Sequence, residues 1–567
     1  MRNGFPYLGL RRAALSVALL AGACAADPGP SSQPADHRAT LSGAYLAGRH
    51  AQAERDMGRA ADLLGAALKM DPGSHGLMRR TFTVLLAEGR MDEAVVLARR
   101  LIAGDGNTSF SRLALAVERI RAGRFDEALK HLEALPDDGI MSYLAPLLGA
   151  WAEAGLGDSA AALEALDPLS EKKGTRALYD LHAALIQDRA GNIQAAEESY
   201  RRVADSQTGL TLRLVQLLGS LYERSRKPEE ARSLYDEYLT TQPRSNLLDE
   251  ALARLDSGAE PGPEVATAID GAAEALFGMA GSLRQQNARE TALLLGRMAL
   301  YLKPDFPMEQ ILLADLLEAD NRLESANRVY KAINPESPYA WTVRLRIASN
   351  LDRLDQTEEA LTRLAAMASD QPDQAEALIN MGDILRGHER FEEAVQAYDR
   401  AVARIPKLEK RHWRLLYSRG IALERSKKWA RAEADFLKAL EFEPDQPFVL
   451  NYLGYSWVEK GMHLERAREM IKTAVKLRPN DGYIVDSLGW VLYQGGQFEA
   501  AARELERAVE LRPEDPIIND HLGDALWRVG RLQEARFQWR RALGLDPEPD
   551  TVPAIEKKLK QGLGGGD

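Results

Sequence analysis

Residues 488–547 read LGWVLYQGGQFEAAARELERAVELRPEDPIINDHLGDALWRVGRLQEARFQWRRALGLDP. Leu488-Gly489 is followed by Ala501 and Pro513, and Leu522-Gly523 by Ala535 and Pro547. In both copies Ala comes 12 residues after Gly and Pro 24 after it, and the copies start 34 residues apart. A fixed period of this size marks stacked supersecondary units. Within each copy, apolar residues recur at three- and four-residue spacing, the mark of amphipathic helices. Gly or Ala at the crossing point lets two helices approach closely. Pro ends the second helix because it lacks an N–H and restricts the residue before it. A stack of such helix pairs makes a long surface suited to holding other chains.

The ladder runs backwards from there. The small residue of the first helix is Gly523, Gly489, Gly454, Gly420, Gly382, Ala348, Ala314 and Ala280. The second-helix Ala is Ala535, Ala501, Ala467, Ala432, Ala394, Ala360, Ala326 and Ala292. The closing Pro is Pro547, Pro513, Pro479, Pro444, Pro406, Pro372, Pro338 and Pro304. One step is a residue long, at Gly461-Met462-His463-Leu464, and one is four long, at Lys407-Leu408-Glu409-Lys410. Both insertions fall between helices, where loops tolerate them.

At these residues the chain resembles the tetratricopeptide repeat family. Asn451-Tyr452-Leu453-Gly454-Tyr455 with Ala467 and Pro479 carries the resemblance, as does Leu522-Gly523 with Ala535, Trp539 and Pro547. The resemblance implies an all-α solenoid of antiparallel helix pairs, wound as a right-handed superhelix, with the first helix of each pair lining a concave face. The front half repeats the ladder more faintly, from Gly48, Ala60 and Pro72 to Gly219, Ala231 and Pro243. Six units there and eight later give about fourteen.

The expected organisation is a signal peptide at 1–23, a tether at 24–38 and an N-terminal repeat block at 39–245. A hinge comes next at 246–269, then a C-terminal repeat block at 270–548 and a capping segment and tail at 549–567. The hinge rests on Asp256-Ser257-Gly258-Ala259-Glu260-Pro261-Gly262-Pro263, rich in Gly, Pro and acid. Apolar content of 45% and charged content of 28% are those of an ordered chain. The formal charge of −11 argues against a nucleic-acid partner, which calls for a basic face.

At the N-terminus, Arg2, Arg11 and Arg12 precede an apolar run from Ala13 to Ala23. Eleven residues are too few to span a bilayer, which needs about 20. A charged start and a short apolar core describe a secretory signal. Its loss would take the formal charge from −11 to −14, since residues 1–23 hold three basic and no acidic side chains. Cys24, the only cysteine, follows Leu19-Leu20-Ala21-Gly22-Ala23. This resembles the lipobox of bacterial lipoproteins, with Ala21 where Leu is preferred. The resemblance implies a lipidated Cys24 and a periplasmic or outer-membrane location. Ala21-Gly22-Ala23 also reads as an ordinary signal-peptidase site cutting at the same bond. Residues Ala25 to Ala35, rich in Pro, Ser and Ala, suit a tether.

No phosphate-binding loop, His-Glu-x-x-His or Gly-x-Ser-x-Gly motif occurs, and the nine histidines show no metal-ligand spacing. No catalytic residue, cofactor or metal is therefore expected. The candidate binding stripe lies 6 and 3 residues before, and 1 and 4 after, each small residue, which is one face of a helix. Phe448, Asn451 and Tyr455 belong to the repeat of Gly454. Tyr483, Asp486, Trp490 and Tyr493 belong to that of Gly489. Asp520, Asp524 and Trp527 belong to that of Gly523, and Arg414 and Tyr417 continue the stripe around Gly420. Rings give contact area and carboxylates give direction, so the stripe is expected to grip a basic or amide-rich peptide. The reading is a non-enzymatic protein-binding scaffold of the bacterial envelope, serving assembly or export of a surface structure. The alternatives are a repeat-armed enzyme such as a glycosyltransferase subunit, for which 20 residues after Pro547 leave no room, and a cytoplasmic adaptor.

Overall fold

The computed structural model describes residues 40–104, 106–206, 210–242 and 245–564. The signal, Cys24 and the rest of the tether, Pro243 and the last three residues lie outside this range. Among the described residues there are thirty α-helices and no strand. Twenty-eight of them form fourteen antiparallel pairs, from Leu41–Ala53 with Met57–Met70 to Pro516–Arg528 with Leu532–Gly544. The other two are Asp249–Ser257 and Val552–Gln561.

In several pairs the small residue of the first helix is a seat for a side chain of the second. A Cβ on Gly219 would stand 2.3 Å from the Tyr235 ring, and one on Gly382 2.5 Å from Tyr398. Gly420 seats Phe436, Gly489 seats Leu505 and Gly523 seats Trp539 in the same way. Each guest lies sixteen residues on, and all five are buried. Burying such a side chain stabilises by about 1.5–3 kcal/mol, so the period is held by packing and not only by turn chemistry. The turn between the two helices needs one left-handed residue. Gly supplies it at Gly89 and Gly530, whereas Asn287, Glu389 and Lys427 adopt it elsewhere. Non-glycine side chains tolerate that conformation at a cost of about 1–2 kcal/mol.

The chain divides into two compact units, with described residues 40–355 in one and 356–564 in the other. The expected boundary at 246–269 is not where they part. Residues 246–248 form a 3-10 turn and Asp249–Ser257 a helix. Arg213 pins the segment after that helix, donating to Glu264 at 2.8 Å and to both oxygens of Glu274 at 2.8–2.9 Å. Ser220 Oγ donates to the Gly262 carbonyl at 3.3 Å, and Val265 is buried. A stretch whose composition suggests a hinge is thus fixed by an arginine from a distant helix.

This connector returns the helix Ala268–Gln285 onto earlier repeats of its own unit. It packs against Ser109–Arg121, Met141–Leu156 and Arg176–Arg189, the first helices of the third, fourth and fifth pairs. Gly271 lies so close to Trp151 that a Cβ would stand 2.2 Å from the ring. Trp151 Nε1 donates to His182 Nδ1 at 3.1 Å. Burial pushes the His182 imidazole down to about 4, so it stays neutral and can accept. The next helix, Arg289–Leu302, packs against His75–Glu88. There Arg297 Nε donates to the Ala87 carbonyl at 3.2 Å and Tyr301 lies under Arg121 at 4.0 Å. The face lined by the third to fifth repeats is therefore filled by the chain itself.

Candidate functional site

In the unit of residues 356–564, the expected stripe splits into an internal network and a surface rim. The network comes first. Asp486, at 5% exposure, accepts from His521 Nδ1 at 2.9 Å. Burial alone would lower the His521 pKa, but the Asp486 carboxylate outweighs it and holds the ring above its ordinary value. Trp490 stacks on His521 at 4.1 Å and on Tyr493 at 5.1 Å. Its Nε1 donates to Glu459 at 2.8 Å, and Arg528 Nε donates to the Tyr493 hydroxyl at 3.3 Å. Asn451 and Tyr455 are also buried.

The last repeat is closed by the helix Val552–Gln561. Lys558 Nζ donates to Asp520 at 2.8–2.9 Å and to Asp524 at 2.7 Å. Trp539 Nε1 also donates to Asp524, at 2.9 Å. Burial, with Asp520 nearby, pushes the Asp524 carboxyl up against the pull of Lys558. Trp527 lies 5.4 Å from Trp539, with Arg536 5.1 Å over its ring and Gly562 pressed against it.

This corrects the expected site. Asn451, Tyr455, Asp486, Trp490 and Tyr493 are buried packing residues of the stacked first helices, and Asp520, Asp524 and Trp527 lie under the closing helix. The spacing that puts them on one face is as expected. What covers that face is the next first helix, one repeat along. Buried carboxylates need cations there, and the chain supplies them itself.

Phe448 and Tyr483 remain at the surface. Phe448 is 39% exposed and Tyr483 half-buried. Each ring carries a guanidinium: Arg478 lies 5.0 Å from the Phe448 centroid and Arg512 4.9 Å from that of Tyr483. These arginines were missed by reading first helices alone. Their signal is the recurring Leu-Arg-Pro that ends the second helix, at Leu477-Arg478-Pro479 and Leu511-Arg512-Pro513. Among the described residues no group of three or more His, Cys, Asp or Glu is gathered to hold a metal, and no helix is long and apolar enough to cross a membrane.

The tetratricopeptide repeat family model matches residues 45–108, 181–246, 345–409 and 487–548. A TPR repeat-containing protein of Pseudomonas aeruginosa is 31% identical over 169 residues, which is 30% of this chain. The chain spans only 28% of that relative's length. Two solved structures are similar along most of their length. The crystal structure of the APC/C hetero-tetramer Cut9-Hcn1 has a TM-score of 0.39 at 15% identity, covering 92% of this chain and 96% of that one. Yeast Tom70 has a TM-score of 0.34 at 12% identity, covering 92% and 95%. The matched segments fall in both units, and helix pairs of the same kind continue between them. The chain carries tetratricopeptide repeats in both units, the architecture of a protein-interaction scaffold.

Proposed function

We propose that this scaffold works in the bacterial cell envelope, anchored by lipid on Cys24, and holds a protein partner during assembly or export of a surface structure without catalysing a reaction. The observation that carries the location is Cys24 itself, the one cysteine, placed directly after the Arg-led apolar run that ends at Ala23. Stable anchoring takes more than one acyl chain. A modified Cys24 would supply the anchor, and the Pro- and Ser-rich residues after it would give the repeats reach. Partner holding rests on the rim at Phe448 and Tyr483, since the face of the third to fifth repeats is filled by Ala268–Gln285.

Cell fractionation tests the location. Cys24→Ser is expected to move the protein from the membrane to the soluble fraction. Fatty-acid labelling should mark only the unaltered protein. A Cys24→Ser protein that stays on membranes would refute the anchor.

A further inference from the structure

Three consecutive repeats of the unit 356–564 present an arginine on an aromatic ring near the start of the first helix. Arg414 lies 5.4 Å from the Trp413 centroid, Arg478 5.0 Å from Phe448 and Arg512 4.9 Å from Tyr483. Arg414, Phe448 and Arg478 are exposed, and Trp413, Tyr483 and Arg512 half-buried.

These guanidinium groups are not spent on internal carboxylates. Arg478 Nε stands 3.4 Å from Asp481, and Arg512 Nη1 3.7 Å from Glu514. Both are longer than the roughly 2.7–2.9 Å of a charge-assisted hydrogen bond. Arg414 makes no ion pair among the described residues. Arg419, in the same unit, shows the contrast: its Nε and Nη2 both donate to Asp435 at 2.7 Å. A guanidinium laid on a ring is held in place and keeps its in-plane N–H donors free for a carboxylate fork. Beside it stand apolar surfaces, the Phe448 ring and Leu477, which is 47% exposed.

We infer that this rim receives an extended segment of the protein partner in which carboxylates alternate with aromatic or aliphatic side chains. The inference rests on the reading of this unit as the partner-holding one. It reverses the charge that the sequence suggests, because the acids of the stripe are already matched, Asp486 by His521 and Asp520 and Asp524 by Lys558. Arginines already stacked lose little freedom on pairing, so the rim is preorganised.

The test is fluorescence anisotropy of a labelled synthetic peptide alternating Glu with Phe, titrated with the full chain. Sister peptides carry Gln or Lys in place of Glu. The Glu peptide should bind roughly tenfold more tightly than the Gln peptide, as expected for two exposed charge-assisted pairs, and the gap should close with added salt. Arg478→Gln with Arg512→Gln should abolish the gap while leaving the helical circular dichroism and thermal midpoint unchanged. Phe448→Ala should weaken both peptides alike. Equal binding of the Glu and Gln peptides, with Phe448→Ala still weakening both, overturns the acidic class and leaves the partner-holding surface standing. Preference for the Lys peptide also overturns it. If no peptide binds but anionic phospholipid vesicles do, in an Arg478- and Arg512-dependent way, the rim is a lipid site and the inference falls; the Cys24→Ser fractionation tests the envelope reading separately.

Discussion

Lys558→Met is expected to cost about 3–5 kcal/mol, because it strands two carboxylates that this ammonium alone bridges. Asp524 is 5% exposed, and Lys558 is the cation at 2.7 Å from it. An exposed ion pair would be worth at most about 1 kcal/mol. Burial of Asp524 decides for the larger figure, since an unpaired buried charge keeps its full desolvation penalty. Loss should be local: the helix Val552–Gln561 detaches and the last pair frays, and proteases should cut after about residue 510 before they touch residues 40–355. Adding Asp520→Asn and Asp524→Asn to Lys558→Met should recover much of the loss, because the charges needing a partner are gone. A single-variant cost near 1 kcal/mol, measured by urea unfolding, would mean that the closing helix is an ornament on the last repeat.

Gly271→Leu should cost about 3 kcal/mol in the unit of residues 40–355, at the upper end for overpacking. A Cβ there already meets the Trp151 ring at 2.2 Å, and Trp151 has no exposure and a hydrogen bond to His182 to lose. Relief requires the helix Ala268–Gln285 to leave its seat. Trp151 fluorescence should shift to the red, and the connector around residues 258–267 should become open to protease. Peptide binding at Phe448 and Tyr483 should be untouched. Unaltered fluorescence and protease resistance would show that this helix does not occupy the face of the third to fifth repeats.

The repeat was legible because its cause is local. A Gly and the side chain that sits on it are sixteen residues apart, as in Gly523 and Trp539, and the same spacing recurs at Gly219, Gly382, Gly420 and Gly489. All fourteen helix pairs followed from that rhythm. The connector was not legible. Gly, Pro and acid at Asp256 to Pro263 describe a loop, but whether a loop is loose depends on who holds it, and Arg213 lies more than forty residues earlier. The site was half legible for the same kind of reason. Helical spacing placed Asp486, Trp490 and Trp527 on one face. It could not say that His521, one repeat on, would cover the first two, nor that Gly562 and Trp539 would cover the third. Nor could spacing within one helix pair Phe448 with Arg478, because the stack joins a helix start to the end of the next helix.

The claim most open to test is that the rim of the unit 356–564, and not the filled face of the other unit, holds the partner. A photo-crosslinking phenylalanine analogue can be placed at Phe448 and Tyr483, and at Leu178, which takes the same place in the fifth repeat. Illumination in growing cells should give one common adduct from positions 448 and 483, lost on Arg478→Gln with Arg512→Gln, and none from position 178. An adduct from position 178, with none from 448 and 483, would contradict the account.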